Sequence, residues 1–566
     1  MPPPREDLPN QDLLERVPLT ARVVLDVGCG TAALAAAYRK RNPRARLLGI
    51  DKDPALAARA AERLDELATV DVENDPLPFD VSEGIDCIVY GDVLEHLRDP
   101  WSVLTRQAEA LLPDGMMLMC VPNLEHWSFA DRLLRGVWDY EETGLFDNTH
   151  LRWFSLRNML DGLAQRGFVL CDVMPRVFPF DREPANQFTR AIAPALTALG
   201  VNSDDYLRRA LPLQYVWRVR KTPRRRMTVA GNMLKPVGGV SHVRIVNPLR
   251  AMATDPMVST MVTSTIDAVA PNDDTPRIFI LHRPALTGED GRKMIRLFLD
   301  AGWLLVTEFD DHPDFFPMMH DMDQLTFRGV HAVQTSTRAL AGVLRQRNPE
   351  VAVFPNAIVE LPEIRNFADP DVLTVFFGAL NREQDWEPLI DALNSVAEQA
   401  QQRLRFQVVH DRGFFDALQT PHKQFTPLCE YDTYMELLGR CEASLMPLSD
   451  GGFNRAKSDL KFIEAGACRV AALASDVVYG ETIEDGRTGL VFRDGNELRE
   501  KLMRLVAMPD LARDLGDAAR DYVAQHRMLA YQIAPRIAWY RSLWARRHAL
   551  TAALEERLAA LPEPAL

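Results

Sequence analysis

No stretch of this 566-residue chain is apolar over the roughly 20 residues that a membrane-crossing helix needs. Cysteine is sparse. Seven are scattered at Cys29, Cys87, Cys120, Cys171, Cys429, Cys441 and Cys468, with no Cys-x-x-Cys pair among them. That spacing excludes a disulfide framework and a cysteine-built zinc site, and it reads as free thiols in a reducing compartment. The start, Met1-Pro2-Pro3-Pro4-Arg5-Glu6-Asp7, carries no apolar signal segment. Positive charge is in deficit, with 65 Lys and Arg against 79 Asp and Glu, a formal net charge of −14. A nucleic-acid partner is therefore not expected, because polyanion binders present a basic face. Together these absences predict a cytoplasmic protein. No low-complexity tract and no internal repeat is present.

What is there is ordinary globular material, 47% hydrophobic and 25% charged. The length predicts roughly three to four domains of about 150 residues each. One run breaks the acidic balance: Arg218, Arg220, Lys221, Arg224, Arg225 and Arg226. It reads first as a solvated linker, and second as a contact with the anionic inner face of a membrane. Its proline-broken part, Lys221 to Arg226, is the best domain boundary.

Before that boundary, short apolar runs alternate with helical patterns. Strands are predicted at 23–27, 46–50, 85–90 and 115–121, with a closing pair at 168–173 and 215–219. An Ala-rich helix is predicted over 54–67. A helical insertion over 186–209 reads as a lid or acceptor element. Alternation restarts after the boundary, with strands at 227–231, 278–281, 303–308, 332–335 and 351–354. A third series follows at 373–377, 406–409, 443–446, 470–474 and 489–492, then a long final helix over 530–547. Strands separated by helices imply α/β architecture with doubly wound parallel sheets. The predicted domains are 1–222, a basic linker 223–226, then 227–365 and 366–566. The last two, in tandem, suggest a cleft, since such sheets bind ligands at the carboxyl ends of their strands.

Asp26-Val27-Gly28-Cys29-Gly30-Thr31 follows a predicted strand and opens a helix, where glycines let the backbone approach a ligand. Gly28-x-Gly30-x-x-Ala33 also fits a dinucleotide fingerprint. Two features favour a different ligand. Asp26, two residues before the first glycine, would receive an ammonium group and repel a pyrophosphate. Asp92-Val93-Leu94-Glu95-His96-Leu97 follows a later strand. With these motifs, residues 22–220 resemble the class I S-adenosylmethionine-dependent methyltransferases, of Rossmann-like fold. The resemblance implies that Gly28, Gly30 and Asp92 border the donor and that Asp51 holds its ribose hydroxyls. Asp71 and Val72 would lie near the adenine. Ala32 stands where the family has a third glycine.

Methyl transfer needs mainly alignment of donor and acceptor. An oxygen acceptor also gains from a base that titrates near neutrality. His96 and His150 are the candidates. His150 lies in Asn148-Thr149-His150-Leu151-Arg152-Trp153-Phe154, which resembles a segment near the acceptor side of that family. Packing within the fold is the other reading of His96. Trp127, Trp138, Tyr140 and Trp153 read equally as a sugar-stacking wall or as core.

Downstream, Lys457-Ser458-Asp459-Leu460-Lys461-Phe462-Ile463-Glu464 precedes Ile483-Glu484-Asp485-Gly486-Arg487-Thr488-Gly489. Glu464 can accept two ribose hydroxyls. Lys457 and Lys461, four apart, are expected on one helix face, where two ammonium groups suit a departing diphosphate. Gly238 and Gly239 form a loop open to a phosphate or an acceptor. Arg382, after Asn381, is a further phosphate contact. With Phe354-Pro355-Asn356-Ala357-Ile358, residues 227–547 resemble GT-B glycosyltransferases of the family 4-like group. The resemblance implies a nucleotide-sugar donor, retention of anomeric configuration, and no metal. Two positions depart from it: Ala456 replaces an acid, and Arg469-Val470-Ala471 replaces Gly-x-Pro. Glu308-Phe309-Asp310-Asp311-His312 contains an acidic run but reads as acceptor cleft, and His282 and Arg283 are expected to face it.

The expectation is a bifunctional enzyme that methylates and glycosylates a glycan or glycolipid acceptor of a surface or secreted polymer. The alternative keeps methyl transfer and leaves the second half to bind glycan or to serve as a scaffold.

Overall fold

Val23-Val24-Leu25-Asp26-Val27 is apolar except at Asp26, the pattern of a strand covered on both faces. In the computed structural model it is the hub of the first of three sheets. The structure describes residues 7–233, 241–263, 275–316, 324–365, 369, 371–380 and 382–561. Gly238, Gly239 and Asn381 lie outside the described residues. By contact the chain divides into two compact units, Met1–Arg225 with Thr254–Met257, and Arg226–Ala253 with Val258–Leu566.

The first unit contains β1 (Val23–Val27), β2 (Arg46–Asp51), β3 (Glu66–Thr69), β4 (Ile85–Gly91), β5 (Leu111–Pro122), β6 (Val169–Arg176) and β7 (Gln214–Arg220). They run in the order β3-β2-β1-β4-β5-β7-β6. All neighbours are parallel except β7, which is antiparallel to β5 and β6. This is a Rossmann-like sheet. Its reversal of direction from β1 lies between β1 and β4, so the carboxyl ends of those strands open a crevice there. Leu25, Val27, Ile88, Met117 and Trp217 build the core beneath it.

The Ala-rich helix is shorter than its composition predicts. It spans Pro54–Ala60, capped by the Asp53 side chain, and Glu66–Thr69 pairs with β2 instead. Helix propensity is a weak prior, and strand pairing overrides it at the sheet edge. The insertion between β6 and β7 starts earlier than predicted, as helices Pro179–Ala198 and Ser203–Ala210. Pro179 supplies the first helical position, where its missing N–H costs nothing.

The basic run does not form one solvated face. Arg218 and Arg220 lie on β7 and are buried. Arg218 forms a bidentate pair with Asp172, Arg220 pairs with Asp255, and Arg224 pairs with Asp114. β7 is central to its sheet edge, so its alternate side chains are drawn under neighbouring acids. Among the described residues no helix is long and apolar enough to cross a membrane.

The second unit holds two six-stranded parallel sheets. One contains β8 (Met227–Asn232), β9 (Val258–Thr263), β10 (Arg277–His282), β11 (Leu304–Glu308), β12 (Ala332–Thr335) and β13 (Val351–Val353). The other contains β14 (Leu373–Gly378), β15 (Leu404–Val409), β16 (Lys423–Thr426), β17 (Ala443–Met446), β18 (Ala471–Ser475) and β19 (Leu490–Phe492). Their orders are β13-β12-β11-β10-β8-β9 and β16-β15-β14-β17-β18-β19. Edge strands β9 and β16 are not predicted from the sequence, because their half-exposed residues give no continuous apolar run.

The final helix is two helices, Ala530–Ala545 and Arg547–Ala559. They pack on the middle sheet and not with the third series. Tyr540 donates to Gln334 Oε1 at 2.6 Å, Arg546 pairs with Glu350 at 2.9 Å, and Leu558 and Leu561 join the cluster around Phe279 and Phe298. Complementary buried groups, not chain order, decide where they lie.

Candidate functional site

Two cavities collect the predicted residues, one in each unit. In the first unit a cavity of about 680 Å³ opens at the carboxyl ends of β1, β2 and β4, and Gly28, Asp51, Asp71, Asp92 and His96 line it. Gly28 has φ +70° and Gly30 φ +54°. At Gly28 a Cβ would overlap Val93 Cγ2, so any side chain would fill the cradle. Gly28 and Cys29 N–H donate to Ile50 O at 2.7 and 3.0 Å, and Gly30 N–H donates to Asp51 Oδ2 at 2.8 Å. These bonds fold the loop over the ends of two strands. Ala32 also adopts a left-handed φ of 55°, so the departure from glycine keeps the backbone path at a cost of about 1–2 kcal/mol.

The carboxylates here are short of positive partners. Asp26 is buried beside the cavity and is not part of its lining. Burial, helped by the charge of Asp51, pushes its carboxyl up to about 7. Asp92 is open to solvent through the cavity, yet it sits in the floor among dense protein, and that desolvation raises it. Gln214 donates to its Oδ1. Asp71 is exposed. The Glu73 N–H and the Asn74 amide bind it, and the former holds it below the usual range.

Glu95 is the residue that sequence reasoning passed over. It is 1% exposed, and neither carboxylate oxygen has a hydrogen-bond partner. Burial and Asp92 together raise it well above the ordinary value. Its backbone carbonyl accepts from Leu151 N–H at 2.7 Å and Arg152 N–H at 2.9 Å, which ties the two candidate histidine segments together. His96 and His150 meet edge to face, with centroids 4.9 Å apart. Burial, then His96, lowers His150. The signal for Glu95 in the sequence is an acid set between the apolar pair Val93-Leu94 and a histidine.

The aromatic wall divides. Trp138 and Trp153 pack with Phe129 and Phe146. Trp127 turns to His126 and Phe188, and Tyr140 is exposed.

In the second unit Arg283, Asp310, Asp311, Arg382, Lys457 and Lys461 line a cavity of about 270 Å³. Here the cations are in excess and borrow partners. Lys457 Nζ donates to Asp311 Oδ1 at 2.9 Å and lies 4.2 Å over the Phe453 ring. Arg283 pairs with Asp310 and Asp311 at 2.7 and 2.9 Å. Arg382 donates to Asp385 and Asn454, each at 3.1 Å. Lys461 donates to the Gly378 carbonyl, and burial, then Arg382, lowers it to about 8.

The lysine pair does not share a helix face as expected. The helix is Leu460–Ala467, and Lys457 precedes it. Proximity to one cavity replaces the shared face. Glu464 lies within that helix. It is buried, accepts from Tyr431 OH at 2.8 Å, and is pushed up to about 7 by burial. Glu308, in the acidic run, does not face the cleft. It is fully buried and paired with Arg244, which also donates to Phe354 O and Asn356 Oδ1. Asp310, Asp311 and Arg283 do reach the cavity, while His282 Nε2 is buried without a partner.

Residues 25–117 match the family model described as a methyltransferase domain, and residues 371–508 match that of the glycosyl transferases group 1. The first unit thus carries a methyltransferase domain and the second a group 1 glycosyltransferase domain. Over 131 residues the chain is 36% identical to a trans-aconitate 2-methyltransferase of Methylobacterium nodulans, a match to 23% of this chain and 49% of that protein. The chain spans about half the length of the curated relatives it matches. Among solved structures, HepE of Anabaena in complex with UDP-glucose is 14% identical, covers 55% of this chain and 99% of its own, and superposes with a TM-score of 0.42. A glycosyltransferase from Rickettsia africae is 11% identical over 56% of this chain and 99% of its own, with a TM-score of 0.41.

Proposed function

We propose that this chain is a bifunctional transferase, with S-adenosylmethionine as methyl donor in the first unit and a nucleotide sugar as glycosyl donor in the second. The observation that carries the reading is the opposite sign of the two cavities. The first gathers Asp51, Asp71, Glu73 and Asp92 around a glycine cradle, with Asp26 buried beneath it, which suits a ligand bearing ammonium and sulfonium charge. The second gathers Arg283, Arg382, Lys457 and Lys461, which suits a diphosphate.

The residues present fit both ligands. Asp51 keeps its carboxylate at the end of β2, where it faces the cavity and can accept ribose hydroxyls beyond the N–H groups of Gly30 and Asp53 that it already holds. Asp26 gains its counter-charge when an ammonium docks. S-adenosylmethionine supplies an electrophilic methyl carbon. His150 or His96 takes the proton that an acceptor heteroatom releases. In the second unit Lys457, Lys461 and Arg382 stabilise the charge that develops on the departing diphosphate. Glu464, held by Tyr431, is the ribose acceptor.

The common product would be a methylated glycan of a surface or secreted polymer, with both steps on one glycan or glycolipid acceptor. Calorimetry of the full chain against S-adenosylhomocysteine and against UDP, GDP, ADP, TDP and CMP tests it. Saturable binding of the first and of one nucleotide, with the nucleotide lost in Glu464→Ala, is the expected result. Absence of nucleotide binding by the folded chain would leave methyl transfer alone. That second reading, a second unit that binds glycan without transferring sugar, has one observation in its favour. Ala456 is buried in the core, where the related pattern has an acid.

A further inference from the structure

Glu95 poses a chemical problem that the methyl-donor cavity does not solve. A fully buried carboxylate with both oxygens unpartnered is among the costliest arrangements in a protein interior, and natural cases are paired, protonated or bound to metal. Among the described residues no Lys or Arg side chain bonds it. Two imidazoles lie close to it. One atom from each of Glu95, His96 and His150 lies within 4.8 Å of the others. A tetrahedral ion about 2.1 Å from each ligand would set them about 3.4 Å apart, so small side-chain rotations close the set.

The supporting groups are already in place. Thr149 Oγ1 donates to Asp147 Oδ1 at 2.6 Å, so it accepts from His96 Nδ1–H at 3.0 Å. That bond fixes the tautomer and leaves His96 Nε2 with its lone pair, as metal-bound imidazoles are usually held. Nδ1 of His150 is buried with no partner. The cluster borders the first cavity, since His96 and the neighbours of His150, Thr149 and Leu151, line it.

We infer that Glu95, His96 and His150 bind a divalent transition-metal ion at the edge of the methyl-donor cavity. Two imidazoles and one carboxylate are the donor set of borderline ions such as Zn2+, Mn2+ or Co2+, and not of Mg2+ or Ca2+, which prefer oxygen. Three protein ligands leave an open position, the arrangement of reactive rather than structural sites. That position takes a hydroxyl oxygen of the acceptor and holds it toward the methyl donor. The ligand set stands on geometry alone, while its role rests on the methyl-transfer reading. The expectation of no metal comes from the glycosyltransferase resemblance of the second half and does not weigh this cluster; Glu95 and His150 are brought together only by the fold.

The test uses the tag-free full chain, stripped with a chelator and titrated with Zn2+ and Co2+ by calorimetry and visible absorption. The expected result is one ion per chain, with Co2+ ligand-field bands. At least tenfold weaker binding is expected in Glu95→Gln and again in His150→Ala. If Glu95→Gln does not fold, His150 is half-buried and its variant carries the test. No saturable ion, or an affinity in both variants unchanged from wild type, would overturn the site and leave Glu95 as a carboxyl kept neutral by burial. S-adenosylhomocysteine binding is measured on the same samples. Metal binding without it overturns the methyl-transfer reading alone, and the converse overturns the metal site alone.

Discussion

The two cavities use the same kind of sheet end and reach opposite electrostatic states. In the first unit desolvation raises Asp26, Asp92 and Glu95; no cation offsets it at Asp26 or Glu95, and Arg176 offsets it only in part at Asp92. In the second, Lys461 is lowered for the same reason, while Lys457, Arg283 and Arg382 are held by carboxylates. The fold alone therefore does not choose the ligand. A parallel sheet supplies a crevice and free N–H groups, and the side chains at its rim set the sign of charge that completes it.

The largest effect that would break this comparison is expected from Gly28→Val. The new side chain meets Val93 and must hold φ +70°, which a β-branched residue rarely adopts. Methyl-donor binding should fall below detection in calorimetry, while nucleotide binding by the second unit stays unchanged. Loss of both would show that one unit governs the other.

Next is Lys461→Met. Removal of a buried ammonium aimed at developing charge is expected to lower sugar transfer by about 100- to 1000-fold, in keeping with other preorganised donors. Steady-state kinetics at saturating donor would detect it. In the wild-type chain, donor affinity should also decline as pH rises through about 8, where Lys461 loses its proton.

Asp26→Asn tests the acid-rich side. Its folded pKa of about 7 lies above the ordinary 3.8, so the folded chain binds the extra proton between those values. Stability from this group is complete below about pH 4 and is lost as pH rises through 7. Relative to wild type, the variant should gain about 2–3 kcal/mol between pH 5 and pH 8, read from urea melts of the first unit. Methyl-donor affinity should drop about tenfold. An unchanged difference across pH would mean that Asp26 is solvated.

The smallest effect would sharpen the comparison. Asp311→Asn frees Lys457 and Arg283 from a charged partner. Nucleoside diphosphate affinity should rise two- to fivefold, the scale of a partly exposed ion pair. A fall would make Asp311 part of the donor site.

Much of the fold is readable along the chain, because buried parallel strands are written as apolar runs between helical patterns. β1, β4, β10, β11, β14 and β17 fall where those runs stand. The edge strands β3, β9 and β16 do not, since half-solvated residues carry no such signal. The Gly28 loop and the 457–464 segment are legible for another reason: close backbone approach and paired charges need particular residues at short spacing. Glu95 is not legible in this way, although it stands in a motif that the sequence displays. Its burial and its two neighbours come from the ends of β4 and from a loop more than 50 residues further on.

By itself, then, the sequence determined the repeated α/β pattern, the glycine cradle and the sign of charge in each motif, all of which depend on neighbours along the chain. Only the tertiary structure decided which acids lack cations, that Lys457 meets Asp311, that the last helices cover the middle sheet, and that Glu95, His96 and His150 converge. Those outcomes depend on desolvation and on contacts between distant segments, and neither has a period that a linear chain can display.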